Sequence, residues 1–283
     1  MRKKLRMWKS YAKEMLRGNY AVPIFGMIAI TGINTVASGL TGVLFGGTSW
    51  LSILLGQIFL FVVSLIMSIF SAGLSYMFLN IARGKPYSIG DLLYFFKNHP
   101  DRVIVSGFVL GLVDVLVSLP YYYISLFTEP GNTPEAALLW LEKGFAMLLL
   151  AAALRMLITL PFAVTYYALA DDKNLGGMEA LKESARMMRK NMGKYLALQI
   201  SFIPLLFLSV FTMYIALLWI MPYMEMSSVM FYRDLRGEFA PKPPTEVTPY
   251  QLIYENAGGL PGKQREESLQ EQSSETDDYN SEA

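Results

Sequence analysis

The sequence predicts an all-α fold: a polytopic membrane bundle of six transmembrane helices, with basic amphipathic cytoplasmic helices and a disordered C-terminal tail. Three observations carry this prediction. First, apolar residues come in long runs, and charged residues make up only 17% of the 283-residue chain, against about 25% in soluble domains. Second, the basic residues crowd into alternate loops, the asymmetry expected when Lys and Arg stay on the cytoplasmic side. Third, a basic helix followed at once by two closely spaced apolar spans occupies 177–235, and the N-terminus repeats that unit.

The repeated unit is best defined near the C-terminal end. In 177–191 the apolar positions Met178, Leu181, Ala185, Met188 and Met192 are spaced 3, 4, 3, 4, which puts them on one helical face. Lys182, Arg186, Arg189 and Lys190 take the other faces, a pattern suited to the headgroup layer of an anionic membrane. At the N-terminus, Leu5, Trp8, Ala12 and Met15 follow the same spacing, and a shift of 173 positions lays them on Met178, Leu181, Ala185 and Met188. Lys9, Lys13 and Arg17 then fall on Lys182, Arg186 and Lys190 and are expected at headgroups too. Ser88 and Asp91 have the spacing of a capping box, and the short apolar run ending at Lys97-Asn98 reads as a weaker third copy.

The spans follow in order. Apolar runs at about 20–45, 50–82, 103–127, 144–170, 195–211 and 213–235 each approach the roughly 20 residues a spanning helix needs. The run from Tyr195 reads as two spans because Pro204 and Pro222 would each kink a single long helix. Thr133-Pro134-Glu135 is suited to a helix start. These spans make one domain, residues 1–235. Beyond it, 236–283 is proline-rich and then acidic, a composition that cannot bury a core; it reads as a disordered cytoplasmic tail.

Three charges fall where charge is expensive. Asp114, Arg155 and Glu225 sit near the middles of the third, fourth and sixth spans, where each costs roughly 2.5–3.5 kcal/mol on insertion scales. Gly107 and Gly111 share a face with Asp114, and Ala151 and Ala152 share one with Arg155; small residues mark the packed side of a membrane helix. An Asp114–Arg155 pair inside the bundle is the direct inference, with Glu225 left as an unpaired titratable group. Asn34, Gln57 and Gln199 read as interhelical hydrogen bonds.

Several chemistries lack their residues. There is no cysteine and one histidine, His99, so neither thiolate chemistry nor a Cys/His metal site is expected. Walker, zincin and nucleophile-elbow motifs are absent from the sequence. No cofactor, metal, nucleic-acid partner or enzymatic activity is expected.

The stretch Glu179–Asn191, then Leu198–Phe202, Leu218–Glu225 and Phe231–Leu235, together with Ala12–Asn19, resembles a family of bacterial integral membrane proteins catalogued as domain of unknown function 975. The family is typical of Gram-positive Firmicutes. The resemblance covers about 1–235. The turn near Thr212-Met213 departs from it, since members usually carry glycines there. The resemblance implies a membrane fold and a bacterial host, and no chemistry; the fold is distantly like the membrane domain attached to some glycerophosphodiester phosphodiesterases.

The leading functional expectation is a non-catalytic scaffold or accessory protein of the plasma membrane with both termini cytoplasmic. It would use its basic helices on anionic headgroups and its tail on a protein partner. The alternative is a small-solute, cation or proton permease using Asp114, Arg155 and Glu225. A permease needs a wet cavity reaching Glu225, whereas a scaffold packs solid.

Overall fold

Hydrocarbon offers no water to a backbone N–H or C=O, so a long apolar run must close its hydrogen bonds within itself as helix. The computed structural model describes residues 2–47, 49–128 and 133–239, all helices and their connections; the tail from 240 and the loop 129–132 lie outside the described residues. The helices are α1 (Arg2–Leu16), α2 (Ala21–Phe45), α3 (Trp50–Ala82), α4 (Tyr94–Lys97), α5 (Pro100–Phe127), α6 (Pro134–Thr159), α7 (Thr165–Asp171), α8 (Gly177–Met188), α9 (Met192–Ile200), α10 (Ile203–Phe211) and α11 (Leu217–Leu235). Short 3-10 turns at Ile89–Leu93 and Leu160–Phe162 precede α4 and α7. No strand occurs among the described residues.

Five stretches are long and apolar enough to cross a membrane: Ala21–Phe45, Trp50–Ala82, Pro100–Pro120, Pro134–Asp171 and Met192–Phe211. The expected sixth, α11, is less apolar because Glu225, Arg233 and Asp234 all fall within its 19 residues.

Two expected spans are broken, each at a proline. The fourth, read as one helix over 144–170, starts earlier, at Pro134, with the Thr133 hydroxyl accepting from Ala136 N–H. It is then interrupted by the Leu160–Phe162 turn around Pro161. The fifth is interrupted at Ser201–Phe202, just ahead of Pro204. Proline removes a donor and disfavours helix at the residue before it, and the freed backbone groups need partners. Ser184 of α8 supplies them at the first break: its hydroxyl donates to the Pro161 carbonyl at 2.9 Å and accepts from Val164 N–H at 3.3 Å. Lys9 of α1 serves the second, donating to the Ser201 carbonyl at 3.0 Å with its ammonium over the Phe202 ring.

The three short helical segments are tied together by one detail. Asn19, Asn98 and Asn191 each donate a side-chain amide N–H to the carbonyl four residues back, at Met15, Tyr94 and Met187. Three residues before each asparagine stands a fully buried side chain: Leu16, Phe95 and Met188. The structural shift between α1 and α8 is therefore 172 positions, not the 173 of the apolar spacing. The buried rows Trp8, Ala12, Leu16 and Ala180, Ser184, Met188 match at that shift. The cause lies in α8, where Met178 is exposed and the small residues Gly177, Ala180 and Ser184 are inside. Small residues that permit close helix approach share the buried face of α8 with Leu181 and Met188.

Each of these segments docks on a span. The Ile89–Leu93 turn lies on α3, α8 lies on α7 and the Leu160–Phe162 turn as well as on α5, and α1 lies on α11. The second and third lean on the span that precedes their own hairpin, and α1 takes the last span. Two glycines permit the contact: a Cβ at Gly73 would run into the Leu92 carbonyl, and one at Gly177 into the Arg102 carbonyl. Trp8 stands edge-on to Phe231 at 5.1 Å, and the capping box Ser88/Asp91 is formed. Buried residues concentrate at this end, on α1, the second half of α3, α7, α8 and the second half of α11. The opposite halves of the long helices present Leu, Ile, Val and Phe outward, and α6 has no buried residue at all.

Candidate functional site

Above the packed end the long helices diverge and leave a cleft of about 640 Å³ between α2, α3, α5, α6 and α9. Its lining is polar for a site among apolar spans: Ser64 and Ser68 from α3, Asp114 from α5, Arg155 and Thr159 from α6, Tyr166 from α7, and Tyr195 and Gln199 from α9 contribute. The small residues that sequence reasoning assigned to helix packing do two jobs. Gly107 and Gly111 bring α5 against Ser68 and Phe61 of α3, while Ser64 and Ser68 turn toward the cleft. Tyr166 and Tyr195 read as apolar in a hydropathy pattern; only the fold places them at the cleft.

Arg155 Nε lies 2.7 Å from Asp114 Oδ1. The contact is an ion pair without an aligned hydrogen bond, since Asp114 Oδ1 takes none among the described residues. The pair is only partly enclosed: Asp114 Oδ1 is itself buried, but the rest of both side chains is open. Some 62% of the Arg155 side chain and 41% of the Asp114 side chain are exposed, and among the described residues α6 packs mainly on α5 and its own following turn. Ala151 and Ala152 line a second gap between α5 and α6 rather than a tight seam.

Glu225 does not line the cleft. The sequence left it unpaired; in the structure the Tyr167 hydroxyl donates to Glu225 Oε1 at 2.6 Å. Glu225 lines a separate apolar groove between α2 and α11. Of the amides expected to cross between helices, Gln199 does, donating to Ser228 of α11 at 3.2 Å. Asn34 instead donates to the Ile30 carbonyl of its own helix.

The basic residues expected at headgroups divide. Lys13, Arg17, Lys182, Arg186, Arg189 and Lys190 are exposed around the packed end. Lys9 is not among them: the free Ser201 carbonyl and the Phe202 ring draw it inward, and burial lowers its pKa. The packed end is also locked by ion pairs. Arg83 contacts Asp171 and Glu238, Arg233 contacts Glu238, Lys4 contacts Asp234, and Tyr232 donates to Asp171 at 2.9 Å. Burial alone would raise the Glu238 pKa, but hydrogen bonds and charge from Arg83 and Arg233 outweigh it and leave Glu238 below its ordinary value. Arg102, buried, donates to the carbonyls of Asp172, Lys173 and Leu175 and so sets the α7–α8 connection. Among the described residues no group of three or more His, Asp or Glu is placed to hold a metal ion.

Long helices with outward-facing apolar sides define the class as a helical membrane protein. The chain belongs to the family described as Protein of unknown function (DUF975), whose model matches residues 1–238. No curated protein and no solved structure matches it.

Proposed function

We propose that the chain is a non-catalytic, six-span protein of the bacterial plasma membrane, with both termini cytoplasmic, whose polar cleft admits water and a small polar solute. The observation that carries this reading is the exposed Asp114–Arg155 pair in a cleft of about 640 Å³. A charge facing hydrocarbon costs roughly 2.5–3.5 kcal/mol or more, so a pair this open is inexpensive only if water reaches it. A solid scaffold would not need the space. Helix α11 serves as the sixth span: its 19 residues extend about 28 Å, close to the roughly 30 Å hydrocarbon thickness. Its Arg233 and Arg236 would lie at the basic end with α1 and α8, the cytoplasmic side by charge bias.

A second reading rests on the exposed row Lys182, Arg186, Arg189 and Lys190 with Lys13 and Arg17. It is an accessory role at anionic headgroups, each such residue contributing about 1 kcal/mol near the surface, with the acidic tail contacting a protein partner.

The sequence contains no cysteine, which makes the test direct. Ser68→Cys and Thr159→Cys in membrane vesicles are expected to react with a membrane-impermeant methanethiosulfonate at least tenfold faster than Phe145→Cys on the outer side of α6. Cleft cysteines that react no faster than Phe145→Cys from either side of the membrane would remove the solute pathway and leave the accessory role.

A further inference from the structure

Helices α2 and α11 diverge to leave a groove of about 860 Å³ lined by apolar side chains, among them Ile24, Ile28, Val36, Leu218 and Met221. The volume lies in the roughly 300–1,000 Å³ range of small-ligand sites. One titratable side chain lines it, Glu225. Its carboxylate accepts from the Tyr167 hydroxyl through Oε1, and among the described residues it forms no ion pair with Lys or Arg. Glu225 stands eight residues from Arg233, about 12 Å along the helix, and so at mid-depth of the span. Leu217 lies eight residues the other way, so the groove runs about 12 Å beyond the carboxylate.

We propose that this groove is a binding site for a lipophilic monocation, whose charge pairs with Glu225 and whose hydrocarbon body fills the groove. Charge complementarity selects the occupant. A lipid acyl chain satisfies the apolar walls and leaves the carboxylate facing hydrocarbon, which is costly. A small hydrated cation satisfies the carboxylate and leaves the walls uncovered. A cation carried on an apolar body does both. The site is separate from the Asp114–Arg155 cleft and stands or falls independently of it.

The full-length protein in nanodiscs is titrated with tetraphenylphosphonium and with its anionic counterpart of matching shape, tetraphenylborate, against empty nanodiscs. Saturable binding near one phosphonium per chain is expected, with no saturable borate binding. Glu225→Gln should weaken phosphonium binding at least tenfold. Gly32→Phe should weaken it similarly: Gly32 lines the groove and an added Cβ there meets nothing within 4 Å, so this variant blocks the groove without touching Glu225 and serves also if Glu225→Gln does not fold. Equal saturable binding of cation and anion, no saturable binding of either, or full phosphonium affinity in the foldable variants would each overturn the proposal.

Discussion

The exposed ion pair makes a quantitative prediction for Arg155→Gln. At 2.7 Å, the Coulomb attraction of two unit charges is about 1.5 kcal/mol in a water-like dielectric and about 6 kcal/mol at an effective dielectric of 20. The attraction is offset by desolvation and by the entropy of holding a long side chain, and solvated pairs net about 0–1 kcal/mol. Breaking a buried pair instead costs about 3–5 kcal/mol, because the remaining charge is stranded. With 62% of the arginine side chain and 41% of the aspartate side chain exposed, the proposed water-filled cleft puts the pair near the wet limit. Arg155→Gln, Asp114→Asn and the Asp114→Arg/Arg155→Asp swap should therefore each cost less than about 1 kcal/mol. On the scale for a chain of this size that is no more than about 4 °C in melting midpoint. The assay is fluorescence-detected size exclusion of detergent-solubilised protein after a heating series. A loss of more than about 10 °C in both single variants, with recovery in the swap, would show a pair locked in a dry bundle and would refute the reasoning behind a wet cleft.

Two further outcomes follow from the packed end. Gly177→Ala puts a Cβ against the Arg102 carbonyl and Val105 and should cost about 1–3 kcal/mol, read as a lower melting midpoint; Gly193→Ala, within α9 where a Cβ meets nothing within 4 Å, should not lower the midpoint and should raise it slightly. Glu238 has a depressed folded-state pKa, so its contribution to stability is present above its ordinary value of 4.5 and is lost as pH falls through the depressed one. Melting curves should drop in midpoint below about pH 4.5, and Glu238→Gln should flatten that drop; an identical acid limb in the variant would remove Glu238 from the lock.

Much of the local structure was legible because it depends on neighbours in the chain. Thr133-Pro134 starts a helix, and Ser88 and Asp91 form a capping box. A hydropathy pattern reports average polarity, however, so it assigned Tyr166 and Tyr195 to the apolar body and could not bring them to the cleft. It also took Lys9 for a surface charge, because nothing local announces that Pro204 frees the Ser201 carbonyl beside it. Pro161 shows the same gap: its position between apolar residues is visible, but the Ser184 hydroxyl that makes the break tolerable comes from 23 residues away.

By itself the sequence determined that the chain is helical, that its long runs belong in a membrane, and that Asp114 and Arg155 share a depth. Those properties follow from composition, period and spacing along one axis. Only the tertiary structure decided how far the helices stand apart, and that separation turns the Asp114–Arg155 pair outward into a cleft and gives Glu225 a tyrosine partner and an apolar groove of its own. Helix separation is set by glycines and serines on facing helices at once, at Gly73 under Leu92 and Gly177 under Arg102, and no single stretch of chain contains both halves of that contact.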